Sequence, residues 1–197
     1  MNYYSDDNFY LFIFSMEEII TEAVTQQKIS PRRASLWLRI TATIKILCYL
    51  TLLFSIPFFL GWPQLLVGSI VNLLLIIIAL RYKNYAMIIP MVMLPSIATS
   101  LRGLVFWPFT IFLVYMMPAI WLGNFILIYT IQQIKTQRVG ILLGWIFKTI
   151  FLFLVAYILI RLWVLPAIFI KAMWIFQLIT VMIAGTAVVA FTSIYKK

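Results

Sequence analysis

The chain has 197 residues, of which 65% are hydrophobic and 10% are charged, and its mean hydropathy is +1.09. Since soluble domains keep about a quarter of their residues charged, this composition excludes a soluble fold. The apolar runs are continuous rather than alternating, which disfavours a β-barrel and predicts an all-α, polytopic membrane protein. The net charge of +10 does not indicate a nucleic-acid partner, because most Lys and Arg residues flank apolar runs as topology signals.

Acidic residues are confined to the beginning of the chain. All five Asp and Glu residues lie at or before Glu22, there is no His, and Cys48 is the only cysteine. The part of the chain that would lie in the membrane therefore lacks a general base and the usual metal ligands, and a disulfide within the chain is excluded. We expect no enzymatic activity, no metal and no cofactor.

Residues 1–35 are predicted to form a separate segment at the cytoplasmic face or the membrane interface. Residues 7–27 mix aromatic and acidic side chains, and the apolar run at 9–14 is too short to span a bilayer. One interpretation is an interfacial helix that ends near Pro31, and the other is a docking segment for a partner protein. The early acidic residues argue against a cleavable signal peptide.

Residues 36–197 are predicted to form one transmembrane domain, a bundle of six spans. A single helix over residues 104–134 would extend roughly 46 Å, against a hydrocarbon core of about 30 Å. Residues 104–110 are therefore assigned to a loop or re-entrant piece. The predicted spans are residues 36–60, 65–80, 85–97, 111–132, 139–164 and 167–194.

Two of these spans are interrupted. The third carries Pro90 and Pro95 and is followed by a polar break at 99–103, so we expect it to be short or re-entrant. Pro118 breaks the fourth span in its middle. Short, proline-interrupted segments are the best indication of a transport site that a membrane-protein sequence offers.

The Lys and Arg residues around the spans predict the orientation. With six spans and the N-terminus inside, ten of them lie on the cytoplasmic side and three on the outer side. This bias predicts a multi-pass protein of the cell inner (cytoplasmic) membrane with both termini in the cytoplasm. The outer set is Arg102, Arg161 and Lys171, and the cytoplasmic set is Lys28, Arg32, Arg33, Arg39, Arg81, Lys83, Lys135, Arg138, Lys196 and Lys197.

The interrupted segments carry most of the candidate binding residues. Ser96, Thr99 and Arg102 surround the polar break, although the same residues fit a capped helix end with Arg102 reaching lipid phosphates. Trp121 and Asn124 follow the proline of the fourth span, and a lone amide there also fits a hydrogen bond between helices. The polar side chains in the apolar spans predict a polar spine through several helices, formed by Asn72, Asn124, Gln177 and Thr180.

Lys148 lies deep in the fifth span, ten residues after Arg138, which is too deep for a topology signal alone. It has no acidic partner, since Glu22 is the last carboxylate of the chain. Three states remain open: an uncharged amine, an ammonium group bonded to carbonyls freed near Pro118, or a partner for the anion of a ligand. Lys45 lies nearer the cytoplasmic end of its span and fits a side chain that reaches the interface.

The ordered motifs of the chain resemble those of a group of small six-span bacterial membrane proteins. That group is similar to the S components, which are the substrate-binding subunits of energy-coupling-factor (ECF) vitamin transporters. The resemblance covers about residues 60–190 and rests on GSIVN at 68–72, PSIATSLRG at 95–103, PAIWLGN at 118–124, Lys148, and MWIFQLIT at 173–180 followed by Gly185.

The resemblance implies a compact six-helix bundle that takes a vitamin or related micronutrient from outside. Such S components work with a transmembrane coupling subunit and cytoplasmic ATPases, and this chain has no phosphate-binding loop of its own. We therefore expect a binder and importer of a small, anionic micronutrient, with the lipid bilayer, the ligand and those subunits as partners. The predicted substrate-binding residues are Ser96, Thr99, Arg102, Trp121, Asn124, Lys148 and Gln177.

Two other functions compete with import. In the first, the chain is a non-transport subunit of a cell-envelope assembly, and residues 1–35 dock a cytoplasmic partner. In the second, it is an intramembrane enzyme, which is disfavoured because residues 23–197 contain no general base and no cluster of metal ligands. Under the import hypothesis, the three outer cations would draw an anion to the mouth of the bundle.

Overall fold

The computed structural model describes residues 31–60, 63–103 and 110–194, and every regular element in these ranges is a helix. Six helical segments are long and apolar enough to cross a membrane. The predicted all-α, multi-pass fold is confirmed. The predicted interfacial helix at 7–27 lies outside the described residues, as does the predicted loop or re-entrant piece at 104–110 except for Thr110, which is helical.

Each of the six spans is long enough to cross a bilayer. The shortest contain 18 residues, which at about 1.5 Å per residue gives roughly 27 Å, close to the thickness of the hydrocarbon core. The helices are α1 (Pro31–Ser55, continued by the π-helical segment Ile56–Leu60), α2 (Gln64–Arg81), α3 (Tyr85–Arg102), α4 (Thr110–Gln133), α5 (Gln137–Arg161), α6 (Ile168–Lys171) and, after the π-helical segment Ala172–Phe176, α7 (Gln177–Ile194).

The third span is longer than its sequence predicts. Helix α3 includes both of its prolines and continues five residues past the predicted end at Ile97, so residues 99–102 are helical. It ends at Gly103, whose φ of 70° is the left-handed conformation that commonly terminates helices. At the other end, the side chain of Asn84 accepts a hydrogen bond from the backbone N–H of Ala86. The predicted polar break is thus the last turn of a capped helix.

Pro118 does not interrupt the fourth span, since α4 is helical on both sides of it. The consequence of the proline is local. It has no backbone N–H, so the carbonyl one turn earlier loses its usual donor within the helix. The fourth span therefore crosses as one helix rather than as two half-helices.

Packing divides the chain into two units, one formed by Met1–Tyr49 with Ala190–Lys197 and the other by Leu50–Val189. The predicted boundary between residues 35 and 36 falls inside the first unit. In its described part, residues 31–49 and 190–194 are helical. Thr41 is buried there and donates its hydroxyl to the carbonyl of Trp37, one turn earlier, while large apolar side chains such as Leu36 and Leu47 are exposed. Exposed apolar side chains are expected on a helix that faces lipid.

In the second unit, α4 and α5 make the most extensive contact. Two glycines of α5 let the backbones of α4 and α5 approach closely. A Cβ at Gly144 would lie 3.0 Å from the carbonyl oxygen of Leu127, and one at Gly140 would lie 3.3 Å from the backbone of Ile131. Small residues at contact points are the usual means of close helix packing in membranes. Beyond the glycines, the interface is filled by a core that includes Leu113, Met116, Ala119, Leu152 and Ala156.

Candidate functional site

A cavity of about 140 Å³ lies inside the Leu50–Val189 unit. It admits a molecule about the size of benzene and offers roughly ten times the space that one water needs. Its apolar walls include Pro57, Val67, Leu113, Ile120 and Met173. Its polar lining residues are Gln64, Asn72, Ser96, Thr99, Asn124, Lys148, Gln177 and Thr180.

The cavity occupies one half of the bundle. Its lining comes from the first half of α2, the last two turns of α3, residues 113–124 of α4, the middle of α5 and the first turn of α7, together with both π-helical segments. Because consecutive spans run in opposite directions, these stretches lie at the same end. That end is the one where α3 finishes at Arg102 and α5 finishes at Arg161.

Lys148 is the centre of a buried polar network. Its side chain is 2% exposed, and its Nζ donates to Asn72 Oδ1 at 2.6 Å and to Asn124 Oδ1 at 2.8 Å. These bonds orient both amides, so that Asn72 Nδ2 donates to Thr180 Oγ1 at 3.0 Å and Asn124 Nδ2 donates to the Val92 carbonyl at 3.1 Å. The network therefore joins α2, α3, α4, α5 and α7.

This network would solvate a protonated Lys148 without neutralising its charge. An ammonium group has three donors, and the bonds to Asn72 and Asn124 take two of them. Both acceptors are neutral amides, and the sequence has no Asp or Glu after Glu22. A buried cation normally requires an anionic partner in addition to hydrogen bonds. The cavity beside Lys148 is a place where an anion could supply that charge.

Three hydroxyl groups of the lining donate to backbone carbonyls. Ser96 donates to Met93 O at 2.9 Å, Thr99 to Pro95 O at 2.7 Å, and Thr180 to Gln177 O at 3.2 Å. A hydroxyl has a single hydrogen, so these side chains can offer a ligand only their lone pairs. This part of the cavity surface therefore accepts hydrogen bonds.

Trp121 supports the lining without being part of it. Its indole Nε1 donates to the hydroxyl oxygen of Ser96 at 2.6 Å, which joins α4 to α3. The Ser96 hydroxyl thus accepts one hydrogen bond from Trp121 and donates another to Met93 O, and the two bonds together fix its orientation.

Arg102 is engaged at the end of the bundle. Its Nη1 donates to the carbonyl of Phe58 at 2.6 Å, in the π-helical segment that follows α1. This bond ties the last turn of α3 to a segment in which Pro57 lines the cavity. A protein carbonyl is therefore the partner of the guanidinium, and Arg102 itself lies outside the cavity lining.

Gln177 lines the cavity and has an unpaired side-chain oxygen. Its Oε1 is buried and accepts no hydrogen bond from any described residue. It directly follows the π-helical segment Ala172–Phe176, which contributes Met173 and Phe176 to the cavity. Such segments occur frequently at functional sites, because the wide turn displaces side chains from α-helical positions.

Five of the seven predicted binding residues line the cavity: Ser96, Thr99, Asn124, Lys148 and Gln177. Arg102 and Trp121 contact neighbouring segments instead. The expectation that Lys148 could bond carbonyls near Pro118 is wrong, because the amide oxygens of two asparagines take that place. Sequence reasoning placed Asn72 and Thr180 in the polar spine but not in the site. An amide in the otherwise apolar α2 was the signal for Asn72.

The comparisons with known proteins add no relative. No model of a protein family, no curated protein and no solved structure matches this chain. The function is therefore argued from the chemistry of the cavity and of the residues around it.

Proposed function

We propose that this protein is a membrane-embedded binder and importer of a small, anionic micronutrient. The observation that carries the proposal is Lys148, a buried lysine beside a cavity with only neutral amides as hydrogen-bond partners. A Lys at the centre of a membrane helix costs about 2.5–3.5 kcal/mol on insertion scales. A ligand anion in the cavity would offset that cost, and charged residues at such depth generally mark substrate pathways.

The proposed route of entry is from the outside. The cavity lies in the half of the bundle that contains the ends of α3 and α5, near the three cations of the predicted outer side. These cations, Arg102, Arg161 and Lys171, would raise the local concentration of an anion at the mouth.

The proposed orientation in the inner membrane has a direct test. Alkaline phosphatase fused after Lys197 should be inactive, whereas the same reporter inserted after Val164, between α5 and α6, should be active. High activity after Lys197 would place the cavity on the cytoplasmic side and contradict uptake from outside.

Energy for import is proposed to come from partner subunits. The chain carries no phosphate-binding loop, so ATP would be hydrolysed by cytoplasmic ATPases that act through a transmembrane coupling subunit. This part of the proposal rests on the resemblance to S components. The capture of an anion rests on the cavity.

Mass spectrometry of small molecules that copurify with the protein tests ligand capture. A small anionic compound should be retained by the wild type and by Gln133→Met, an exposed control at the far end of α4. It should be lost from Lys148→Gln, which keeps a donor for the asparagines but has no charge. Retention of the same compound by all three proteins would show that Lys148 does not hold it.

A non-transport role in a cell-envelope assembly is the second candidate. The observation in its favour is that 11% of the apolar window of Ser35–Leu60 is buried, against 33% or more in each of the other five spans. An exposed span is free to pack against another membrane protein. Cys48, which is exposed in α1, offers a crosslinking probe for such a partner. A stoichiometric partner crosslinked at Cys48, with no copurifying ligand, would favour this role.

A further inference from the structure

We propose that the turn at residues 162–167, between α5 and α6, binds the headgroup of an anionic phospholipid. The indole of Trp163 would lie at the membrane surface, and the two cations that flank the turn, Arg161 and Lys171, would contact the lipid phosphate. The proposal goes beyond ligand import and does not depend on it, since none of these three residues lines the cavity.

The backbone of the turn holds Trp163 in a conformation that suits glycine. Trp163 has a φ of 59° and is the only described residue other than glycine with a positive φ. It directly follows Leu162, the C-cap of α5, at the position where helices commonly place a glycine in the left-handed conformation. A bulky side chain is strained there, and such strain persists only where the surrounding structure fixes it. Formation of the turn alone would favour glycine, which points to a role for the indole outside the turn.

The turn is fixed on both sides, and the indole projects from it. The backbone N–H groups of Trp163 and Val164 donate to carbonyls in the last turn of α5, at 3.0 and 2.9 Å. After the turn, Leu165 and Phe169 are buried in the core that contains Leu113. Trp163 itself is 94% exposed. The exposure of the indole is therefore a property of a well-anchored turn, which presents the ring to whatever surrounds the protein.

The turn lies at the level where a bilayer meets water. The fifth span ends at Arg161 and the sixth begins at Ile168, so Trp163 is two residues beyond the end of its span. Indoles are concentrated at this level in membrane proteins, because the ring is apolar while its N–H can bond a headgroup. The neighbouring Leu162 is also exposed and adds apolar surface.

The charges beside the turn fit a phosphate group. Arg161 and Lys171 are exposed, and neither makes a hydrogen bond or an ion pair with another described residue. Arg102, at the same end of the bundle, differs because its guanidinium already bonds Phe58 O. Lys171 lies in the first turn of the sixth span, from which a lysine side chain can reach the interface.

A lipid is favoured over a partner protein by the position of these cations. Phospholipid phosphates occupy the interface of every bilayer, whereas a partner protein would have to bring an acidic surface to the same level. A guanidinium forms paired hydrogen bonds with a phosphate, and basic residues at the surface attract lipids with a net negative charge.

Quenching of Trp163 fluorescence by brominated lipids tests the proposal. The full-length protein is placed in nanodiscs of phosphatidylcholine with a minor fraction of phosphatidylglycerol. Bromine atoms are carried on the acyl chains of either the phosphatidylglycerol or an equal amount of the phosphatidylcholine, and they quench only an indole that they contact. Because the chain has seven Trp residues, the signal of Trp163 is taken as the difference between each protein and its Trp163→Phe counterpart.

The expected result is a preference for the anionic lipid that depends on the two flanking cations. Brominated phosphatidylglycerol should quench Trp163 of the wild type about twofold more than brominated phosphatidylcholine. Arg161→Gln/Lys171→Gln should quench equally with both lipids, and the charge-preserving Arg161→Lys/Lys171→Arg should keep the preference. The matched control is Lys83→Gln/Lys135→Gln, which removes two exposed cations at the opposite end of the bundle and should also keep it.

A second pair of variants tests the strain of the turn. Both Trp163→Gly and Trp163→Ala remove the indole, but only glycine adopts a positive φ without strain. In a neutral detergent, Trp163→Gly should therefore melt about 2–4 °C higher than Trp163→Ala. Equal melting temperatures would show that the turn does not force the left-handed conformation on its residue, and the argument from strain would fail.

Each other outcome of the quenching experiment also decides the proposal. Equal quenching of the wild type by the two brominated lipids would place the indole in the interface without an anionic lipid, which overturns the site. A preference that survives in Arg161→Gln/Lys171→Gln would overturn the assignment of the two cations. Absence of quenching by either lipid would show that Trp163 does not contact the bilayer, and a partner protein would then be the better explanation of its exposure.

Discussion

The contact between α4 and α5 changes character along its length. Successive turns of α5 place Gly140, Gly144 and Lys148 on one side of the helix, four residues apart. At the glycines the two backbones lie close together: a Cβ added at Gly140 or Gly144 would lie 3.3 or 3.0 Å from the backbone of α4. At Lys148, by contrast, the side chain bonds Asn124 beside the cavity. The glycine turns provide close packing, and the lysine turn provides polar chemistry. Rigid packing one turn away is what holds a buried charge in a fixed position.

The largest effect should come from filling the glycine turn. In Gly144→Val the new side chain meets the carbonyl oxygen of Leu127, which is backbone and cannot rotate away. We expect a loss of about 3 kcal/mol in the free energy of unfolding, measured by denaturant titration in detergent. Gly185→Val is the control, since its Cβ would meet only the Ile141 side chain at 3.0 Å. An equal loss in both variants would refute the distinction between backbone and side-chain contacts.

The polar turn should show coupling between its members. Asn124→Leu removes one acceptor from a buried ammonium group, and we expect it to cost about 1–2 kcal/mol of unfolding free energy. Adding Lys148→Met removes the charge itself, so the double variant should be more stable than Asn124→Leu alone. The two substitutions would instead be additive if Lys148 and Asn124 did not interact in the folded protein.

The sequence predicted the polar turn more completely than the glycine turn. A cation or amide in an apolar run is conspicuous, so Lys148 and Asn124 could be identified as members of one site from their depth in the spans. Their pairing could not, because Asn72 and Lys148 are 76 residues apart and only the packing of the helices brings them together. Gly144 carried no such signal, since a glycine in a membrane helix is common whether or not it touches a neighbour.

The ends of the spans show a similar limit to what the sequence can predict. The length of the apolar runs set the number of crossings, but the polar residues 99–102 led the third span to be predicted too short. Two of their polar side chains are paired, since Thr99 bonds Pro95 O and Arg102 bonds Phe58 O. The buried Ser100 Oγ has no hydrogen-bond partner among the described residues. A partner 44 residues away in sequence turns the predicted break into a helix end.

Arg102→Met tests whether the end of α3 belongs to the packing or to the site. Loss of the bond to Phe58 should lower the free energy of unfolding by about 1 kcal/mol, because the guanidinium is only partly buried. The variant should retain the copurifying anion as the wild type does. Arg161→Met, at the exposed end of α5, is the matched control. Loss of that anion from Arg102→Met but not from Arg161→Met would place the arginine in the site.

The smallest effect is expected at the indole that orients Ser96. Trp121→Phe keeps most of the aromatic volume and removes the 2.6 Å hydrogen bond, which should cost about 0.5–1 kcal/mol of unfolding free energy. Trp163→Phe is the control, because that side chain is 94% exposed. Indistinguishable melting curves for Trp121→Phe and wild type would show that the bond adds nothing to stability.

The π-helical segments indicate where the chain can lose one residue without a change in the rest of the fold. A π turn closes i to i+5 hydrogen bonds and so holds one residue more than an α-helical turn. Losing one codon within Ala172–Phe176 would convert the wide turn into continuous α-helix and leave Gln177 and Thr180 in their places. The same deletion inside α3 or α5 would rotate everything downstream by about 100°. We therefore expect the chain to vary in length within its π-helical segments, which line the cavity. Such a change would alter the shape of the cavity and leave the packing of the helices intact.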